Sequence, residues 1–444
     1  MSIHSWRTQP LRRLLLIAAL LHIALAITIT VVGKARLLPN TFDTNGVGVA
    51  FALDSVSYRE QALYMASLLR EGRIRDWINY RAKLATFHAR VYSIFYTLLS
   101  WLLGEGILAI EPVNLFYYLT MIVLTYLVGA TAFSPIIGRL AAIAIGLWPS
   151  LLLFTTQLLR DPMYICCFLL LILILIICIK GLNSWREVGI YTAAGFAALS
   201  LVLLARAAMW EIVLLTVLLG AAICFLSQAR ARRLDLQTSV AVLFLCVAVF
   251  LLPRVLSGGR VVDRYEQALA RNPALHATPN NGLPWSELAT QIGWARHVFI
   301  VGYPGSGSNL DADVELRTTG DIVRYLPRAL QLGLLAPFPS MWFAPGAKVG
   351  LTGRLVIGAE MLALYGMLVL SVVTMLRERR RLLVWFLFAT SVLACTILAL
   401  VVVNAGALHR LRYPYFIPII LLSLCELERL ISNRGPLLQE SAIS

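Results

Sequence analysis

The feature that most restricts this chain is a recurrence of uninterrupted apolar runs of about 18–22 residues. Each is long enough to cross a hydrocarbon core of roughly 30 Å as a helix. They fall at about 13–33, 91–110, 113–133, 139–158, 162–179, 188–205, 211–227, 236–253, 355–376, 382–403 and 413–431. Backbone in lipid must satisfy its own hydrogen bonds, so only helices and closed barrels span a bilayer. The runs are continuous rather than alternating, which excludes a transmembrane barrel. Apolar residues make up 59% of the chain and charged residues 14%, against roughly 45–50% and about 25% in soluble domains. The sequence predicts an all-α polytopic membrane protein.

The net charge of +15 records topology, not a nucleic-acid partner, because basic residues accumulate on the cytoplasmic side of membrane helices. If every run crossed, with the N-terminus inside, the clusters at Arg230, Arg232 and Arg233 and at 377–381 would lie outside. Laying the segment VYSIFYTLLSWLLGEGI (91–107) on the outer surface removes both violations. Its Tyr and Trp favour the interface, and Gly-Glu-Gly breaks it. About ten transmembrane helices remain, with both termini inside, and the N-terminal run reads as an uncleaved anchor. The expected organisation is an N-terminal transmembrane module over 1–253, with a first outer loop at 34–112. A large outer loop over 254–353 follows, with an amphipathic helix at 321–343, and then C-terminal transmembrane helices and a short cytoplasmic tail over 354–444. The expected location is the inner (plasma) membrane, with the functional face toward the periplasm or outside.

This topology gathers an unusual set of polar residues at outer span ends: Asp54, Arg160, Asp161, Arg206, Glu211, His409, Arg410 and Arg412. Charges near the membrane are costly unless paired or functional. As a cluster they favour an anionic ligand; singly, each reads equally well as a functional charge or as a snorkelling side chain or simple ion pair. Asp54, in LDSVSYREQAL, precedes a helix, which suits either an N-cap or a general base at the membrane surface. Asp161, in LLRDPMY, is the second carboxylate, and the following proline at the first turn strengthens its capping role. GYPGSGSNLD (302–311) lacks the Lys-Ser/Thr of a phosphate loop and reads as a turn. The seven cysteines all fall in apolar runs, and no His or Cys set has zinc spacing.

These residues carry a resemblance. D-x-x-x-Y ahead of an Ala/Leu-rich helix, directly after the first span, resembles the GT-C superfamily of polyprenyl-phosphate-sugar-dependent glycosyltransferases. Protein O-mannosyltransferases and lipid A aminoarabinose transferases belong to it. GLWPSLLLFTTQLLRDPMY resembles that family's proline-containing span, and HRLRYPYFIPI its basic-Tyr-Pro entry into a late span. The resemblance implies a GT-C-like fold of about ten spans plus outer juxtamembrane helices. It implies a polyprenyl-phosphate sugar donor, a glycan, lipid or protein acceptor, the bilayer as setting and no nucleic acid. Asp54 and Asp161 become the catalytic candidates, Arg160, Arg206, Arg410 and Arg412 the donor-phosphate ligands, and Tyr58, His409 and Tyr413 substrate-lining residues. The family's usual acidic pair is here a single Asp before Ser55, which leaves divalent-metal use open; no cofactor is otherwise implied. An outer-face glycan polymerase or ligase, and a lipid-linked glycan transporter, are the competing expectations. A transporter would show internal repeats and mid-span charges, of which Glu360 is the clearest here.

Overall fold

The computed structural model describes residues 9–39, 41–42, 48–49, 52–80, 86–257, 286–302, 307–343 and 350–432. Among them the chain is helical without a β-strand, apart from two isolated bridges, Phe42–Val49 and Asn309–Asn404. The chain divides into two compact units, one comprising 1–177, 197–210 and 345–356, the other 178–196, 211–344 and 357–444.

The first unit contains α1 (Gln9–Lys34), α2 (Leu53–Arg70), α3 (Ile74–Asn79), α4 (Thr86–Leu103), α5 (Ile107–Ala132), α6 (Pro135–Gly146), α7 (Pro149–Thr155) and most of α8 (Asp161–Lys180). The end of α9 (Trp185–Arg206) also belongs to it. Its centre is α5, which packs on α1, α4, α6 and α7. That helix is apolar nearly all round, as a helix enclosed by others must be. Gly138 of α6 lets two backbones approach, since a Cβ there would stand 2.5 Å from the Tyr126 carbonyl oxygen. Small residues serve this purpose in membrane helix pairs. Inside the bundle His22 of α1 meets Glu111 of α5 at 2.6 Å and Thr155 of α7 at 3.1 Å, and it stacks on Tyr118. Three helices are thereby joined through groups that would be costly to bury singly.

The outer segment expected at 34–112 is largely helical. Ala62, Met65 and Ala66 of α2 lie buried at helical spacing, as do Ala89, Tyr92, Ser93 and Tyr96 of α4, and the two helices pack together. Trp101 and Leu102 of α4 remain exposed.

The second unit holds α10 (Trp210–Ala231) from residue 211 onward, α11 (Leu236–Ser257), α12 (Ser286–Gly302), α13 (Thr319–Leu335), α14 (Gly350–Arg377) from residue 357, α15 (Leu382–Val401), α16 (Ala405–Leu411) and α17 (Tyr413–Ser432). Here α15 is central, in contact with α12, α13, α16 and α17. The expected amphipathic helix at 321–343 forms as α13 over 319–335. It starts earlier because Thr318 and Asp321 close a capping box, and it stops before Pro337. Arg296, 1% exposed, ties α12 to the carbonyls of Val314, Leu400 and Asp311 at 2.9, 3.1 and 2.6 Å. Asp311 in turn receives Arg328 through both oxygens, at 2.8 and 2.9 Å. The stretch at 260–284 lies outside the described residues.

Seven helical stretches among the described residues are long and apolar enough to cross a membrane, or eight if the pair α6–α7, bent by 64°, forms one span. The chain is a multi-pass, all-helical membrane protein. The difference from about ten has three sources. Stretch 185–231 counts once although it contains α9 and α10, each of 22 residues. The run 139–158 is interrupted at Gly146–Pro149. The 413–431 run carries Glu426, Glu428 and Arg429. The demoted segment, now α4, is not among the seven.

Candidate functional site

In the first unit, one site grows from two short pieces of backbone. The first precedes α2. Gly48 has φ +138°, and a Cβ there would stand 2.1 Å from Gln157 Oε1, so only glycine suits both the torsion and the space. The next residue donates its amide to that same oxygen, Val49 N to Gln157 Oε1 at 2.9 Å. Val49 and Ala52 bury in a small core with Ala26, Ile29 and Ile107. The start of α2 is therefore fixed against the ends of α1 and α5. The N-cap is Ala52, with no side-chain cap, so Asp54 stands inside the first helical turn. A carboxylate there is favoured by the helix dipole. It is half-buried, and Tyr58, 4% exposed, follows one turn later.

The second piece is the turn between α7 and α8. Asn114 of α5 donates to the carbonyls of Thr156 and Gln157 at 3.0 and 3.3 Å, and accepts from Tyr92 Oη at 2.7 Å. This turn delivers Arg160 and Asp161. The Arg160 guanidinium lies over the Tyr58 ring, 5.0 Å from its centroid, a favourable cation–π distance. Asp161 forms an ion pair with Arg206 at the end of α9, and both are buried. Burial, then the nearby Arg206 charge, pulls Arg160 below its usual range, while Tyr58, Asp161 and Asp54 oppose the change. Burial raises the Tyr58 phenol, against the lowering effect of Arg160. Two arginines face two carboxylates, so the cluster is formally neutral.

His88 of α4 completes it. The ring meets Tyr58 edge-on at 5.5 Å and Tyr92 at 4.4 Å. It is 1% exposed, and neither ring nitrogen has a hydrogen-bond partner among the described residues. Burial, with Arg160 adding to it, lowers its pKa to about 3, so the ring is neutral.

The structure thus brings together Asp54, Tyr58, Arg160, Asp161 and Arg206. The remaining candidates belong to the second unit, where His409, Arg412 and Tyr413 form a buried cluster with Glu360. Tyr413 Oη lies 2.6 Å from His409 Nε2 and donates to Glu360 at 3.0 Å. Arg412, fully buried, donates to the Gly333 carbonyl at 3.1 Å, points at Met361 Sδ and His409 Nδ1, and lies over Phe416. Burial lowers it to about 10. Arg410 is half-buried on the same short helix.

Sequence reasoning missed His88, whose signal was the four-residue spacing His88, Tyr92, Tyr96 on one face of α4. Among the described residues no three His, Cys, Asp or Glu side chains gather as metal ligands. No protein family, curated protein or solved structure matches the chain. The GT-C resemblance therefore stands on its motifs.

Proposed function

We propose that this protein is a membrane glycosyltransferase of GT-C type. It moves a sugar from a polyprenyl-phosphate-linked donor to a hydroxyl of a glycan, lipid or protein acceptor at the outer face of the plasma membrane. The observation that carries the reading is the convergence of Asp54, Tyr58, Arg160, Asp161 and Arg206 from three separate stretches of the first unit. Asp54 has the exposure a general base needs to reach an acceptor hydroxyl, and removing that proton as the anomeric bond breaks is base catalysis in a single, inverting displacement. Arg160 supplies fixed positive charge where the leaving phosphate develops its own. Asp161 neutralises Arg206 and so moderates the field, which keeps the product phosphate from being held too tightly.

The test is direct. The purified protein in lipid nanodiscs is offered polyprenyl phosphates carrying a hexose, an N-acetylhexosamine or a pentose, and release of the free lipid phosphate is followed by mass spectrometry. Turnover of one donor, or a polyprenyl phosphate copurifying with the protein, supports the reading. No turnover and no bound lipid would reject it. Orientation is tested by a cysteine at 228–235, which should resist an impermeant thiol reagent added outside.

A further inference from the structure

The imidazole of His88 has one hydrogen-bond donor and one acceptor when neutral, and neither finds a partner among the described residues. A buried polar atom left unpaired costs about 1–3 kcal/mol, and a residue doing nothing else would be replaced at less cost by an apolar ring. Two aromatic rings lie against it, Tyr58 at its edge and Tyr92 beside it. The Tyr92 hydroxyl is already given to Asn114. The charged groups that act on the ring are Arg160, Asp161 and Arg206, the members of the site just described.

We infer that His88 is a ligand-binding residue of this site, its two ring nitrogens reserved for the hydroxyl groups of a sugar-like ligand whose anionic end meets Arg160. The inference rests on the glycosyltransfer reading and adds to it which residue recognises the sugar. The chemistry selects the ligand class. An ionised phosphate accepts hydrogen bonds only, so it would satisfy the N–H and leave the bare nitrogen facing a second lone pair. A hydroxyl both donates and accepts, and neighbouring hydroxyls on a pyranose can serve both nitrogens. The aromatic walls suit the apolar faces of such a ring. Neutrality of the imidazole, which burial and Arg160 enforce, preserves the acceptor nitrogen that a hydroxyl needs.

The experiment compares wild type, His88→Phe and His88→Gln in nanodiscs. It measures melting temperature without ligand, then binding of decaprenyl phosphate and of the same lipid carrying each of the three sugars above. Wild type should bind one sugar-bearing lipid more tightly than the bare lipid. His88→Phe should melt no lower than wild type, keep its affinity for bare decaprenyl phosphate within about twofold, and lose about tenfold in affinity for the preferred sugar-bearing lipid. His88→Gln, which retains a donor and an acceptor, should recover part of that loss. A Phe variant that melts several degrees lower and binds both lipids poorly would make His88 structural and overturn the inference. So would a Phe variant with the sugar preference intact. If wild type binds the bare lipid without preferring any sugar form, this inference alone falls; if it binds no polyprenyl phosphate at all, the proposed function falls with it.

Discussion

Arg412 donates from Nη2 to Nδ1 of His409 across 3.2 Å, and a guanidinium has no lone pair with which to accept in return. Nδ1 is therefore the bare nitrogen and Nε2 carries the ring proton. Hydrogen bonding then runs one way, from Arg412 through His409 and Tyr413 to Glu360. Burial first, and Arg412 besides, hold His409 below its ordinary pKa, against the pull of Glu360. Histidine-selective ¹⁵N NMR should show this ring neutral at pH 7, with Nε2 protonated, and a titration midpoint below the ordinary value of about 6.5. In Arg412→Met, Nδ1 loses its donor while Glu360 stays at Nε2, and the midpoint of the ring's titration should rise.

His88 makes the fold acid-sensitive. Its folded pKa of about 3 lies below the unfolded value of about 6.5. The stability it contributes is thus fully present above about pH 6.5 and is lost as pH falls from there toward 3, by about 1.4 kcal/mol per pH unit. His409, shifted the same way, adds to the slope. Melting curves between pH 4 and 7 should therefore be flatter for His88→Phe than for wild type. Parallel curves would show that His88 takes up a proton freely in the folded state.

The Asp161–Arg206 pair should behave as a buried ion pair. Asp161→Asn or Arg206→Met alone strands a charge and should cost about 3–5 kcal/mol, whereas the double variant should regain most of that loss. A double-mutant cycle by thermal denaturation measures it. Additive effects would mean that the pair carries no coupling.

Arg160 is less buried than Arg206, and its guanidinium rests on an aromatic face. Arg160→Gln should weaken decaprenyl phosphate binding at least tenfold, with a melting temperature close to wild type. Arg160→Lys should restore only part, because a lysine cannot grip two oxygens as a fork. Equal binding by the Gln variant would remove Arg160 from the phosphate site.

Asp54 stands in the first turn of α2 and is not its N-cap. Asp54→Asn should melt within about 1 kcal/mol of wild type, the size of a first-turn carboxylate's interaction with the helix dipole. Sugar transfer by Asp54→Asn should fall by about 10²–10⁴-fold. Substantial transfer by the Asn variant would move the base to another residue.

The apolar runs foretold most of the long helices because lipid demands length and continuity, and both are properties of the sequence alone. The break at Gly-Glu-Gly was legible as well: α4 ends at Leu103, and Gly104 follows at φ +77°. Breaks inside continuous apolar sequence were harder to see. Nothing in the hydropathy of 139–158 announces a 64° bend, because the chain is equally apolar on both sides of it. Asp161 and Arg206 could each be suspected of lying at a span end. Their pairing, across 45 residues, belongs to helix packing and leaves no local mark. Arg296 shows the same limit more sharply. In GWARHVF it reads as one more helix-surface charge, yet it is among the most buried side chains of the second unit, because two carbonyls of the 311–314 segment and that of Leu400 converge on it.

Asn114 bonds two consecutive carbonyls of the turn that carries Arg160, and Tyr92 holds Asn114 in place. That turn is consequently set before any ligand arrives, and a bound phosphate would not have to order it. Less binding free energy is then spent on immobilising the protein, and encounter is governed by how fast a long lipid diffuses sideways to reach the guanidinium. Asn114→Leu should for that reason slow nothing in the arrival of the lipid but shorten its residence time, a kinetic signature that loss of charge at Arg160 would not share.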